Sequence, residues 1–339
     1  MVSFKCDYAQ GAHPRILEAI TRTNAEHTEV YGEDEHSSAA AKLITKQTKR
    51  ECFVSFVPGG TIANLVVISH FLRPHQAVIA ADTGHIFTNE TGAIESTGHK
   101  IVTHPGEDGK LTPEMICKVL GKHGHVPFTV QPRLVYISQP TELGTVYSKA
   151  ELTALYATCQ ERGLYLFVDG ARLGCALALG DATIADLAML TDAFTIGGTK
   201  NGGLFGEAVV IPNAKISEDF LFSVRQKGAL LAPGRLLGVQ FEELFRDGLY
   251  LELGRWANEM SALLKSGLKS LGIRFYAESP TNQQFVWLRN EVIEKLEKEY
   301  MILALETVEE ESVVRLVTSH ATTRKQVEGF IKLVEEAIR

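Results

Sequence analysis

Residues 165–206 read YLFVDGARLGCALALGDATIADLAMLTDAFTIGGTKNGGLFG, and this stretch decides the fold. It opens on an apolar run, Tyr165 to Val168, that reads as a buried strand ending on Asp169. It closes on a second run, Ala193 to Ile196, followed by glycines and Lys200. Both charged groups therefore fall just past the carboxyl ends of strands, where an open α/β sheet places its ligands. The separation, 200 − 169 = 31 residues, leaves room for one helix between the two strands. An acid and a lysine so placed suit pyridoxal phosphate. The amine condenses with the aldehyde, and the acid hydrogen-bonds the pyridine nitrogen, keeping it protonated so that the ring draws off carbanion charge. Each residue alone has a plainer reading, a helix cap for Asp169 and a solvated loop cation for Lys200. The pair carries the inference, together with Arg172 in Asp-Gly-Ala-Arg and the glycines around Lys200.

Upstream, the same alternation of strand and helix recurs. Glu51 to Val57 reads as a strand, and Pro58-Gly59-Gly60-Thr61 turns directly into a helix carrying Ile62, Leu65 and Val66. Glycines before a helix N-terminus let free N–H groups approach a phosphate, with the Thr61 hydroxyl beside them. The turn is not a Walker A loop, because no Gly-Lys-Ser/Thr follows, and the chain has no G-x-G-x-x-G, so a nucleotide-binding module is disfavoured. Ala77 to Ala81 is the next strand, ending in Asp82-Thr-Gly-His85, where an imidazole could stack on a flat ring; Glu90 is expected to open the following helix. Lys100 to Thr103 and Arg133 to Ser138 read as strands. Thr112-Pro113 and the capping box Ser148-Lys-Ala-Glu151 open helices. Strands alternating with helices of this length predict a mostly parallel sheet covered by helices on both faces.

The ends of the chain differ. Phe4 to His13 reads as an extended arm, Pro14 opens an amphipathic helix through about His27, and VYGEDEHSS, with Tyr31, reads as a polar loop. After a strand at Glu207 to Ile211, a long helical region runs from about Pro233 to Leu268. Short strands follow near Phe285 to Leu288 and Val313 to Val317, then a final helix capped by Thr323 with Gln326. Arg315 alternates with Val314 and Leu316 and is expected on the opposite face, either as a solvated edge residue or as a carboxylate clamp. The expected division is a large cofactor-binding domain over 14–245 and a smaller α/β domain made of 1–13 and 246–339.

Composition bounds the function. The 339 residues carry 34 basic and 41 acidic side chains, a net charge of −7, with no basic block, so nucleic acid is not an expected partner. No apolar run reaches a membrane span, and the first residues lack the apolar core of a signal peptide. Five scattered cysteines fit reduced thiols in a cytoplasm better than a disulfide framework or a metal cluster, so no metal site is expected.

The motifs resemble those of the L-threonine aldolases, within the β-eliminating lyase group of fold-type-I pyridoxal-phosphate enzymes. The resemblance runs over nearly the whole chain: GAHPRILEAI with VYGEDEHS, PGGTIANL, ADTGHIFTNETGAIE, LVYISQPTELGTVYS, LFVDGARLG, FTIGGTKNGGLFGEAVV and VVRLVTSHATT. It implies an aspartate aminotransferase-like fold and cleavage of L-threonine or L-allo-threonine to glycine and an aldehyde. It also implies residue roles. Lys200 would form the Schiff base, Asp169 would meet the ring nitrogen, His85 would stack on the ring, and Gly60 and Thr61 would hold the phosphate, with Lys227 nearby. Arg172 and Arg315 would bind the amino-acid carboxylate, and His125 would touch the substrate hydroxyl. Tyr31 would line the site of a neighbouring subunit in a homodimer or homotetramer. Two departures stand out. The relatives often carry Ser where this chain has Cys6 before Asp7, and many have Glu-Asn-Thr where it has Ser138-Gln139-Pro140-Thr141. Transamination, β-elimination, and cofactor binding without turnover are the alternatives.

Overall fold

The computed structural model describes every residue except position 214. Its centre is a seven-stranded sheet in the order Phe53–Val57, Glu207–Ile211, Ala193–Gly197, Tyr165–Asp169, Gln131–Ser138, Gln76–Ala81, Lys100–His104. Strand Glu207–Ile211 is antiparallel to both of its neighbours and the other pairings are parallel. All the strands but one therefore end on the same edge, and the reversed strand begins there.

Alternation along the strands builds two cores. Val135, Ile137, Leu166, Val168, Phe194 and Ile196 face one layer of helices, and Leu134, Tyr136, Phe167, Ala193 and Val209 face the other. Burial on both faces explains why these strands read as near-continuous apolar runs. Helix Gly60–Phe71 packs on the second face through Ala63, Val66 and Val67.

A second, antiparallel sheet holds Leu303–Val308, Glu311–Val317, Gln283–Arg289 and Phe275–Ala277 in that order. Helices Leu249–Ser270 and Arg324–Ile338 cover one face, burying Met260, Leu264, Val327 and Phe330 against Val286, Leu288, Val314 and Leu316. Arg315 is on the opposite, half-buried face, as alternation required. Helix Leu249–Ser270 serves both bodies, because its first turns, with Leu249, Tyr250 and Leu253, pack in the large core. The N-terminal arm joins the small sheet's body: Val2 and Ser3 pair in parallel with Tyr300 and Met301, and the Phe4, Tyr300 and Phe330 rings pack against one another.

Several expected boundaries move. The first helix stops at Thr23 instead of His27, and the long helical region is two helices, Arg235–Arg246 and Leu249–Ser270. Half of the expected polar loop is the start of helix Glu35–Thr48, whose N-cap Asp34 accepts from Ser37 N–H. That helix buries Ser37, Ala40, Ile44 and Thr48, a face too polar for an apolar periodicity to reveal. Glu90 does not open a helix. One turn of helix covers His85–Thr88, and Glu90 follows it with its side chain turned into the protein.

Candidate active site

Six of the residues singled out in the sequence converge on the shared strand edge. A cavity of about 460 Å³ is lined there by Gly60, Thr61, His85, Asp169, Arg172 and Lys200, with Tyr8 and Glu207 among its other walls. Each follows from the local chain. Asp169 is the last residue of its strand, and His85 opens the helical turn just beyond Ala81. Gly60 starts a helix of 12 residues whose N-cap, Gly59, makes no side-chain capping bond, so its first N–H groups are free to meet an anion.

Lys200 sits on the connection between Ala193–Gly197 and Glu207–Ile211. Gly198 N–H and Thr199 N–H both reach Gly206 C=O (2.9 and 3.3 Å), and Gly206 N–H donates to Thr199 Oγ1 at 3.0 Å. Gly202 has φ +89° and Gly206 +109°, and a Cβ at either would stand 2.5 or 2.4 Å from a leucine methyl, so glycine is required at both. Lys200 is half-buried, and desolvation together with the Arg172 charge lowers its pKa. Its ammonium is 5.9 Å from the centre of the Tyr8 ring.

Asp169 is held by three donors. Tyr136 O–H and Asn64 Nδ2–H₂ donate to Oδ2 at 2.7 and 3.0 Å, and Ala171 N–H donates to Oδ1 at 2.9 Å. Asn64 also donates to Glu90 Oε1 at 2.8 Å, and the same oxygen is 2.8 Å from His85 Nδ1. A carboxylate there fixes the proton on Nδ1 and leaves Nε2 as an acceptor. His85 N–H donates to Glu142 Oε1, which also accepts from Ser138 at 2.6 Å. Burial raises the pKa of Tyr136, and the charge of Asp169 raises it further, so the phenol stays a donor.

Arg172 is already engaged: its Nε and Nη2 donate to the two oxygens of Asp7 at 2.7 and 3.2 Å, and Asn282 donates to Asp7 Oδ2 at 2.9 Å. Burial alone would raise Asp7, but the charges of Arg172 and Lys200 and these hydrogen bonds outweigh it and the carboxyl is lowered. Arg315 lies close enough to feel Arg172, Asp7 and Tyr8, and its Nε has no partner among the described residues. Desolvation and the Arg172 charge lower its pKa, as expected for a cation lacking a counter-ion of its own.

Three sequence candidates lie elsewhere in this chain. His125 is on an exposed loop, packed against the ring of Phe128, and is not a wall of the cavity. That loop follows helix Pro113–Lys122 and precedes strand Gln131–Ser138, which places it at the strand's start, away from the edge where Ser138 ends. Lys227 follows helix Phe220–Gln226 and acts on His99, next to the start of strand Lys100–His104 and so remote from the cavity. Tyr31 is on the surface, 5.0 Å from the Arg225 guanidinium, and borders a different hollow. Conversely, Asp7, Asn64, Glu90, Tyr136, Glu142 and Glu207 were not singled out as site residues. Asn64 had a signal, one turn beyond Gly60 on the same helix face, and Tyr136 shares a strand face with Ser138.

Comparison with known proteins places the chain. It is 36% identical over 298 residues, 86% of each chain, to a low specificity L-threonine aldolase of a Pseudomonas species, and 33% identical over the same shares to that of Pseudomonas aeruginosa. Among solved structures, the Leishmania major threonine aldolase superposes with a TM-score of 0.98 at 45% identity, covering all of both chains. A Thermus thermophilus aspartate aminotransferase shares only the fold, with a TM-score of 0.73 at 16% identity, over 99% of this chain and 91% of that one. The architecture is thus that of the fold-type-I pyridoxal-phosphate enzymes. The model of the beta-eliminating lyases matches residues 4–338, and the chain belongs to that family.

Proposed function

We propose that this protein is a pyridoxal-phosphate-dependent aldolase that cleaves L-threonine and related β-hydroxy-α-amino acids to glycine and an aldehyde. The observation that carries the reading is the meeting, in one cavity, of a lysine, a carboxylate with three hydrogen-bond donors, and an uncapped helix N-terminus. This donor set fits the cofactor. The N–H groups at Gly60 and the Thr61 hydroxyl suit its phosphate, the Lys200 amine its aldehyde, Asp169 its ring nitrogen, and the His85 imidazole a face of its ring.

Bound there, the cofactor supplies an electron sink for the pair released when the substrate Cα–Cβ bond breaks. The chain's own groups do the rest. Asp169 keeps a proton on the ring nitrogen, because an adjacent negative charge favours the cationic form, and Tyr136 and Asn64 hold that carboxylate in place. Arg315 binds the substrate carboxylate and thereby orients the scissile bond; Arg172, tied to Asp7 through Nε and Nη2, makes no hydrogen bond from its third nitrogen among the described residues. The division into domains over 14–245 and over 1–13 with 246–339 puts Arg315 on the smaller body and Lys200 on the larger. In this reading the protein works in a reducing cytoplasm, which suits its five free thiols.

Incubation with L-threonine should yield glycine and acetaldehyde in equal amounts. Formation of 2-oxobutanoate and ammonia in their place would overturn the aldolase reading. Arg315→Ala should raise KM for threonine about tenfold to a hundredfold, since a charge-assisted bond contributes roughly 1.5–3 kcal/mol and about 1.4 kcal/mol is a factor of ten. The visible absorption of the bound cofactor should change little, and an unaltered KM would remove Arg315 from the carboxylate site.

The site is completed by a second copy of the chain in this reading. Tyr31 has φ 57° and is exposed beside Val30, while Leu221 and Phe222 also present apolar side chains to the surface. Such side chains are covered in an assembly, and Tyr31 and Lys227 then serve the neighbour's cavity. Sedimentation at assay concentration should give at least a dimer, and an active monomer would refute the shared site.

A further inference from the structure

Glu207 is the first residue of the one reversed strand, and antiparallel pairing sets it opposite both Gly197 and Val57. Reversal brings it to the edge where the other strands end, so one hairpin carries Lys200 on its turn and Glu207 at the start of its returning arm. The carboxyl is 2% exposed and lines the cavity. Its Oε1 would lie 3.7 Å from a Cβ placed on Gly60, at the helix N-terminus. Its Oε2 is buried and has no hydrogen-bond partner among the described residues. A carboxyl kept for packing or for fold specificity would be satisfied by donors, because leaving it unpaired is costly. Among the described residues no donor is placed on Glu207 Oε2.

We propose that Glu207 is the proton donor that serves Lys200 when the lysine amine condenses with an aldehyde. The proposal rests on the reading of Lys200 as the residue that captures pyridoxal phosphate. The condensation needs such a donor. A neutral amine adds to the carbonyl carbon, and the carbonyl oxygen leaves as water while the new C=N nitrogen carries a positive charge. The balance takes up one proton, which passes from the Glu207 carboxyl, directly or through one water, and leaves a carboxylate facing the new cation. When an incoming amine frees Lys200, the proton returns.

The surroundings favour this exchange. Desolvation and the Asp169 charge raise the Glu207 pKa to about 8, while desolvation and the Arg172 charge lower that of Lys200, which narrows the gap across which a proton must pass between them. The groups facing Glu207 are Asp169 from its strand, Lys200 from the turn, and the Tyr250 phenol from helix Leu249–Ser270. Tyr250 is itself raised by burial and by Glu207, and its oxygen accepts from Gly174 N–H at 3.1 Å.

The test uses the full chain stripped of cofactor and then given pyridoxal phosphate, with no amino acid present. Infrared difference spectra of the wild type should lose a protonated-carboxyl band as the cofactor is captured, and Glu207→Gln should lack that change. Capture by Glu207→Gln, followed by absorbance and trapped with borohydride, should be slowed about a hundredfold, the lower range for loss of a general acid. Glu207→Asp should recover part of the rate. An unchanged capture rate in Glu207→Gln overturns the proposal, as does a wild-type spectrum without loss of the carboxyl band, which needs no variant to fold. If the wild type captures no cofactor at Lys200, the reading of the site itself fails; if it does and the glutamine variant matches it, only Glu207 is misassigned.

Discussion

Lys200→Ala is expected to abolish covalent cofactor capture and to lower turnover by on the order of a millionfold, the scale seen when an enzyme loses its covalent nucleophile. The fold should survive, because among the described residues the Lys200 side chain makes no hydrogen bond or ion pair, and its ammonium is 5.9 Å from the centre of the Tyr8 ring. Removing a partly desolvated amine also removes a desolvation cost, so the melting temperature should not fall. Borohydride reduction followed by peptide mapping checks the assignment directly, and cofactor found on another lysine would displace it.

Asp169→Ala should slow the reaction by several powers of ten while leaving Lys200 able to take up the cofactor. Loss of the carboxylate removes the charge that holds the ring nitrogen protonated, and without that proton the ring is a poor acceptor of the electron pair. Asp169→Glu should do less damage, since it keeps the charge and shifts it by one methylene. The alanine variant should also lose stability, because Tyr136 O–H and one Asn64 bond would be left unmet in a buried place. Single-turnover measurements with threonine separate the chemical step from binding, and a wild-type rate in Asp169→Ala would rule out the role.

Where one local rule governs, the sequence was readable. Apolar runs gave the central strands, Ser148 and Thr323 form the capping boxes their spacing announced, and Lys200, Asp169, His85 and Gly60 reached one cavity because strand ends gather on one edge. What escaped depends on pairing across the chain. Asp7 gains its meaning from Arg172, 165 residues away, and Glu207 becomes part of the site only once its strand is known to run backwards. Helix Glu35–Thr48 was hidden for a different reason: its buried face is made of Ser37, Ala40 and Thr48 as much as Ile44. His125 was placed by motif alone, and the loop that carries it stands at the wrong end of its strand for this chain's cavity.

The attachment of the N-terminal arm bears on the order in which the molecule can be finished. Val2 and Ser3 find their partners at Tyr300 and Met301, Phe4 C=O accepts from Val317 N–H at 2.8 Å, and Asp7 is held by Asn282. A ribosome therefore releases the first seven residues long before anything they bind exists. Contacts so distant in sequence form late, since loop-closure entropy must be met first. Throughout synthesis of the central sheet Arg172 is a cation without its carboxylate partner, and the site acquires its internal charge balance only when the last strand of the small sheet closes over the beginning of the chain.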